Sequence, residues 1–396
     1  MVKIVMKFDE LNIKSEIVYK TRESGFKQLT SIQEKCMREI LEGRDVVGQA
    51  ETGSGKTLAF TLPILDKIRL NGNLQAVVLT PTRELCVQVT GVFQEFGKTL
   101  GVKTVSIYGG VSIEPQIRNL QSAHVVVGTP GRILDHIRRK TIDFSNIRFL
   151  VLDETDKMLD MGFIEDVSRI ISYFPRERQT LMFSATISQG VQRIARKYLK
   201  NPLLVMTKQL VDGSKLKQVY YDIYQQNDKF SLLVHLLKEH TFGLSIVFCG
   251  TRKETDVVAR NLRKQGVKAL AIHGGMGQDK RLKSLEALKK QTIDVLVATD
   301  VAARGLDIKN VTCVYNYDVP KTPQEYIHRV GRTARAGKNG VAVTLLTRRD
   351  HDNFRRVQSD DKLMIEEADF PRFKKVPLFR NSSERGNNAF NKRYRW

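Results

Sequence analysis

The sequence predicts an α/β protein with two tandem parallel-sheet domains, joined by a short linker and followed by a short basic C-terminal tail. Three observations carry that prediction. Short apolar runs that end in small or polar residues alternate with stretches of helical apolar spacing. The alternation stops at a polar stretch near the middle of the chain and then restarts. A glycine-rich loop stands between the first such run and the helical stretch after it.

Residues 1–43 contain little strand signal. Ser31–Leu41 predicts a helix, with Ser31 as its cap, Glu34 three residues on and Gly43 as its stop. Asp45–Gln49 reads as a strand, and Lys56–Leu70 as a helix in which Pro63 predicts a kink. Ala76–Thr80, Thr104–Tyr108, His124–Gly128, Phe149–Leu152 and Thr180–Phe183 read as buried parallel strands. Arg83–Leu100 and Lys157–Phe174 are amphipathic between them. Lys208–Lys217 (KQLVDGSKLK) is polar, carries a glycine and predicts the linker. The second half offers Ser245–Cys249, Ala269–His273, Asp294–Ala298, Cys313–Asn316 and Val341–Leu345 as strands. Lys253–Gln265 and Asp279–Lys290 read as helices between them, and Arg348–Lys362 as a closing helix. The expected domains are therefore 1–207 and 218–362, around a linker at 208–217, with a disordered basic tail over 363–396. From Pro371 that tail interleaves cations with Phe373, Phe379, Phe390, Tyr394 and Trp396. It could stack on bases and neutralise phosphates, or be a solvated end.

Composition narrows the class. With 396 residues the chain exceeds one ordinary core. Its 41% hydrophobic and 27% charged content is that of a globular protein, but the net charge of +22 implies a polyanionic partner, most often nucleic acid. The four cysteines, Cys36, Cys86, Cys249 and Cys313, form no C-x-x-C pair. That excludes a zinc ribbon and a disulfide framework and fits reduced thiols. The N-terminal apolar run is too short for a signal peptide, and no run reaches the ~18 apolar residues of a membrane span. A cytoplasmic, monomeric protein without membrane contact is expected.

The stretch with the plainest chemistry is Ala50–Thr57 (AETGSGKT), which fits G-x-x-x-x-G-K-[ST] with Ala50 in place of the first glycine. Gly53 and Gly55 let the backbone curl, so that N–H groups from Glu51, Thr52 and Ser54 onward can point at one place beside a helix N-terminus. Such a cradle suits nucleotide phosphates; Lys56 supplies a point charge and the Thr57 hydroxyl a ligand for Mg²⁺. By itself this could be an ordinary glycine-rich turn. Phe149–Leu152, however, runs into Asp153-Glu154-Thr155-Asp156. Carboxylates at the carboxyl end of a parallel strand lie beside the nucleotide crevice. Asp153 would hold the Mg²⁺ shell, and Glu154 would orient and deprotonate an attacking water. An acidic cluster is usually a solvated strand end, but its place after an apolar strand favours catalysis.

With these blocks in hand, the chain resembles a DEAD-box ATP-dependent RNA helicase of superfamily 2, with DETD where the family usually has DEAD. The resemblance runs from Phe8 to about Leu346, with the motifs in the family's order. It implies two RecA-like domains, ATP and Mg²⁺ as cofactors, and RNA as partner. Gly25–Gln33 (GFKQLTSIQ) is similar to the glutamine motif; by resemblance Gln33, with Thr30, reads the adenine edge and Phe8 stacks on the ring. Leu29 and Ser31 replace both family prolines there. Pro81–Cys86, Gly109–Gly110 and Thr129–Arg132 match RNA-facing motifs, implicating Thr82, Arg83, Gly110, Thr129, Gly131 and Arg132. Ser184-Ala185-Thr186 matches the motif that couples ATP state to unwinding, through hydroxyl contacts of Ser184 and Thr186 to the acidic block at Asp156.

In the second half, Val247–Arg252 and His273–Arg281 resemble further RNA-side motifs, implicating Arg252, Gly274 and Arg281, with Gln278 and Arg281 in the Q-x-x-R spacing. In Ala298–Ile308 the resemblance turns Thr299 to RNA and Asp307 to the ribose. Tyr326–Gly337 (YIHRVGRTARAG) is the most specific second-half match. Arg332 and Arg335 take the arginine-finger positions, and His328 a bridging one. Ala334 replaces the commoner glycine. The implied activity is RNA-stimulated ATP hydrolysis coupled to domain closure and local, sequence-independent duplex unwinding or remodelling of RNA–protein complexes. A duplex-DNA translocase of the same superfamily shares the phosphate loop and fingers, and an ATP-gated RNA clamp shares the whole set. RNA against DNA stimulation and a duplex-release assay separate them. A small-molecule kinase would leave the second domain without a role.

Overall fold

The computed structural model describes residues 6–50, 53–207, 215–239, 243–303, 308, 311–334, 339–361 and 363–380. The chain divides into two compact units, with the change between residues 209 and 210. Each contains one seven-stranded sheet, and every described strand pair is parallel. The first sheet holds β1 (Val46–Gln49), β2 (Ala76–Leu79), β3 (Thr104–Ile107), β4 (Val125–Gly128), β5 (Phe149–Leu152), β6 (Gln179–Ser184) and β7 (Leu203–Met206). Its order is β3-β4-β2-β5-β6-β1-β7. The second holds β8 (Leu216–Ile223), β9 (Leu244–Phe248), β10 (Ala269–Ile272), β11 (Val295–Ala298), β12 (Val311–Asn316), β13 (Gly340–Thr347) and β14 (Glu366–Glu367). Its order, β10-β11-β9-β12-β13-β8-β14, repeats the first strand for strand.

The apolar runs are continuous because both sheet faces are covered. Val78, Val127, Val151 and Phe183 belong to one core, and Val77, Val126, Leu150 and Met182 alternate into a second on the opposite face. Helices occupy the connections, as parallel crossovers require. The helix Lys56–Lys67 runs through Pro63, and Arg83–Gly97 follows β2. The expected Lys157–Phe174 helix is two, Thr155–Asp160 and Ile164–Ile171, divided at Gly162 with φ +73°. The helix Ser31–Leu41 is capped by Thr30, not by Ser31: the Thr30 N–H donates to Gln33 Oε1 at 2.9 Å.

Two boundaries differ from the sequence expectation. Leu216 and Lys217 belong to β8 and not to the linker, whose residues 208–214 lie outside the described ones. Residues 363–380 are not a disordered tail. Glu366 and Glu367 pair with Val219 and Tyr220 as an edge strand, and the Ala368 N–H donates to the Tyr220 carbonyl. The chain then crosses the second domain as a strap, with Phe373, Val376 and Leu378 packed on the core that contains Phe230 and Leu262. Side chains supply its hydrogen bonds. Ser231 Oγ accepts from the Val376 N–H at 3.0 Å and donates to the Val376 carbonyl at 3.2 Å. Asn261 pairs with the Phe379 backbone in the same two-way manner, at 3.0 and 2.9 Å. The Lys264 ammonium stands 4.0 Å from the Phe379 ring centre. Phe390, Tyr394 and Trp396 of the expected tail lie outside the described residues.

The strap's partial burial of three apolar side chains should be worth about 2–4 kcal/mol to the second domain. A chain ending at Arg380 should match the full chain in urea unfolding. One ending at Met364 should show an earlier transition of the second domain alone. Equal midpoints for both truncations would show the strap to be a passive cover.

Candidate functional site

The phosphate loop joins β1 to the helix Lys56–Lys67. Gly53 and Gly55 have φ of +86° and +96°, a region that favours glycine. Gly55 also has no room for a side chain, since a Cβ there would lie 2.5 Å from Gln33 Nε2. The Gln33 amide donates to the Gly55 carbonyl at 3.1 Å. The glutamine motif is thus bonded to the phosphate loop. Ala50 and Ser54 are buried, and Thr57 sits in the first helical turn. The Lys56 ammonium is buried and donates to the Ala50 carbonyl at 2.5 Å, across the inside of its own loop. Phe8 is 2% exposed and lies in the core, so stacking on a base requires its covering side chains to shift. Glu51 and Thr52 lie outside the described residues.

The acidic block follows β5. Its Asp153 and Glu154 side chains are buried, and Glu154 takes a left-handed backbone, φ +52°, before the helix Thr155–Asp160 begins. Burial first, and the neighbouring Glu154 second, push Asp153 up to about 7; Lys56 and Lys157 act in the opposite sense. A carboxylate so deprived of water and placed beside another suits a cation, and the Asp153 carboxylate and Thr57 hydroxyl are oxygen donors of the kind Mg²⁺ takes. Asp156 faces the Ser184-Ala185-Thr186 motif. Its Oδ2 accepts from the N–H groups of Ala185 and Thr186 at 3.2 and 3.0 Å and from the Thr186 hydroxyl at 3.1 Å. The Asp156 N–H donates to Ser184 Oγ at 3.2 Å.

The other expected residues of the first domain gather at the carboxyl ends of β2, β3 and β4, which are neighbours. Thr82 caps the helix Arg83–Gly97, and its hydroxyl accepts from the Leu85 N–H at 3.3 Å. The Arg83 guanidinium lies over Gly110, where any side chain would collide with it. Arg132 donates to the Val111 carbonyl at 3.0 Å. Thr129 precedes the helix Pro130–Arg138, and the space over Gly131 is open.

The second domain repeats the placement. Arg252 follows β9, Gly274 follows β10 and Thr299 follows β11. Gly274 lies beside Arg252, and a Cβ there would stand 3.6 Å from the guanidinium. Arg281 lies in the helix Gln278–Lys289. His328, in the helix Pro323–Val330, and Arg332 line one small cavity with Phe248, Asp300 and Arg329. Asp307 and Arg335 lie outside the described residues.

Sequence reasoning passed over two cations. Arg329 is 3% exposed and forms a fork on Asp300, Nε to Oδ1 and Nη2 to Oδ2, both 2.6 Å. Its Nη1 donates to Asn316 Oδ1 and to the Asp318 carbonyl. Asp318 in turn accepts from the Gly250 N–H at 2.8 Å. The signal was present, since Arg329 is the first arginine of H-R-x-G-R. Lys157 binds Glu154 at 2.6 Å and could have been found from its i, i+3 spacing.

A family profile for DEAD/DEAH box helicases matches residues 30–194, and one for the helicase conserved C-terminal domain matches 228–337. The DEAD-box ATP-dependent RNA helicase CshA of Geobacillus kaustophilus is 44% identical over 91% of this chain and 77% of its own. The ATP-dependent RNA helicase CshA of Listeria monocytogenes is 43% identical over 92% and 71%. Among solved structures, S. cerevisiae Dbp5 bound to RNA and ADP BeF3 matches with a TM-score of 0.83 and 32% identity, over 91% of this chain and 95% of that one. Mss116p bound to ssRNA and AMP-PNP matches with a TM-score of 0.82 and 28% identity, over 93% and 81%. These matches, together with two seven-stranded parallel sheets of the RecA-like kind, establish that the chain belongs to the DEAD-box family of ATP-dependent RNA helicases.

Proposed function

We propose that this helicase hydrolyses ATP when its two domains close over ATP and RNA, and that closure releases one strand of a short duplex without reading its sequence. One observation carries this reading. The phosphate loop and acidic block are on the first domain, whereas the arginine motif is on the second, so neither domain is complete alone. Both domains also place RNA-type motifs at the ends of the corresponding three strands. A clamp made from both would hold one strand by its backbone, where phosphates and 2′-hydroxyls carry little base information. The similar Dbp5 and Mss116p structures, each bound to RNA together with a nucleotide analogue, support this reading.

In this reading Lys56 leaves the Ala50 carbonyl for the phosphates, while Gln33 and Thr30 select adenine and Phe8 stacks on the ring. Glu154 aligns the attacking water and accepts its proton. Thr57 and Asp153 would hold Mg²⁺, which supplies charge neutralisation at the phosphates when bound. Arg332 and Arg335 offer planar forks to the equatorial oxygens, and Asp307 meets the ribose. Asp156, Ser184, Thr186 and His328 relay nucleotide state to the RNA side. Thr82, Arg83, Gly110, Thr129, Gly131 and Arg132 would touch RNA on the first domain, and Arg252, Gly274, Arg281 and Thr299 on the second. Four buried free thiols fit a reducing, cytoplasmic setting, and we read the working form as a monomer without membrane contact. No described helix is long and apolar enough to cross a membrane.

Glu154→Gln should abolish RNA-stimulated turnover while keeping ATP affinity within about threefold, because Lys56 and Asp153 remain. An equal loss of nucleotide binding in equilibrium titration would remove Glu154 from its role. Arg332→Ala should lower the single-turnover rate by about 10³-fold, as arginine fingers do elsewhere. A tenfold or smaller loss would demote it. RNA should stimulate the parent enzyme and DNA of the same length should not.

A further inference from the structure

We propose that Lys157 is a positioning residue for ATP hydrolysis: its buried ammonium holds one oxygen of Glu154 so that the other is left as the acceptor for the attacking water. The proposal rests on the role of Glu154 given above and extends it to a residue outside the phosphate loop and arginine motif.

Local preference does not explain a lysine here. Lys157 is the third of only six residues in the helix Thr155–Asp160, a helix too short for its dipole to set a preference there. It is also buried, with 3% of its side chain exposed, where long cations are rare unless paired. Its partner is Glu154, itself 5% exposed, with Nζ 2.6 Å from Oε1. Replacing a buried ion pair by apolar residues often costs nothing in stability, so stability alone is weak grounds for this one.

The second carboxylate oxygen supplies the functional grounds. Among the described residues, Glu154 Oε2 is buried and has no hydrogen-bond partner. A buried oxygen of this kind is costly unless something arrives to use it. With Oε1 tied and the Glu154 backbone fixed in the left-handed region, Oε2 has a set direction before any nucleotide binds. The other charged groups around the pair have different tasks. Lys56 is bonded to the Ala50 carbonyl, Asp153 adds negative charge, and Asp156 Oδ2 is taken by Ala185 and Thr186. Without Lys157 the Glu154 carboxylate would be free to swing toward Lys56 and lose its aim on the water. An acceptor pre-aimed in this way spares reorganisation at the moment of reaction.

The test compares Lys157→Met, Lys157→Gln and Lys157→Arg in the full chain, with thermal melting to verify folding. Both neutral variants should lose at least about tenfold in RNA-stimulated kcat, with KM for ATP and equilibrium affinity for AMP-PNP within about threefold of the parent. Lys157→Arg should recover most of the rate, because a guanidinium can reach the same oxygen. In melting, Lys157→Met should lower the midpoint, and adding Glu154→Gln should restore part of it by removing the unpaired charge. The proposal is overturned if a folded neutral variant keeps its kcat, if the loss falls on KM, or if arginine does no better than methionine. Should Glu154→Gln itself keep turnover, the reading of Glu154 fails instead, and the two failures are distinguishable.

Discussion

The crowding of charge at the buried carboxyl end of β5 is the constraint on which the candidate site depends. Asp153 and Glu154 are consecutive carboxylates with almost no access to water. Among the described residues Lys56 and Lys157 act against that crowding, while burial first and Glu154 second push Asp153 up to about 7. Lys56 meanwhile spends a hydrogen bond on its own loop. In the proposed reading a magnesium–nucleotide complex would bring positive charge to Asp153 and phosphate oxygens to Lys56, and its affinity would follow from charges that folding has already gathered.

Strand ends in both sheets are tied together by buried or half-buried polar groups. In the first sheet Asp156 and Ser184 join the ends of β5 and β6. In the second, Arg329 bonds Asp300 after β11 and Asn316 and the Asp318 carbonyl at the end of β12, while Asp318 reaches Gly250 after β9. Each network is satisfied on several sides, and losing one member would strand a buried charge. A motif read as chemistry in the sequence can thus be structural in part. Arg329 belongs to the most specific second-half motif, yet its described bonds all go to its own domain.

The sequence was most legible where burial is complete. Val125–Gly128 and Phe149–Leu152 are apolar on both faces, and the expected strands match within a residue. Three strands were missed for the converse reason: β7 is a half-exposed edge, β14 is an edge of two glutamates, and β8 beside it has mixed burial. The strap was unreadable because its bonds go to Ser231 and Asn261 side chains and not to a ladder, so no period appears in its sequence. The contiguous motifs placed most of the site, because loops at strand ends keep their neighbours in space. Lys157 and Arg329 escaped because each is one cation in a charged stretch, and only burial distinguishes them from solvated neighbours.

The repeat between the sheets also shows how the two domains differ at the place of the proposed phosphate site. β8 holds the place of β1, and each is followed by a loop and a helix with a lysine in its first turn, Lys56 in one and Lys229 in the other. β12 holds the place of β5, and each ends beside an aspartate, Asp318 and Asp153. The loops differ. Tyr224–Asp228 contains no glycine, so it lacks the positive-φ turns that aim N–H groups at a phosphate. The lysines then meet different partners. Lys229 is 2% exposed and bonds Asp350 at 2.9 Å, with Asp318 at 3.9 Å. Asp350 is itself held by the Thr347 N–H and hydroxyl. A carboxylate of the protein stands where a phosphate would be needed, and the charge is satisfied permanently. Among the described residues the corresponding ammonium of the first domain, Lys56, bonds a backbone carbonyl, a neutral partner that a phosphate would displace in the proposed reading.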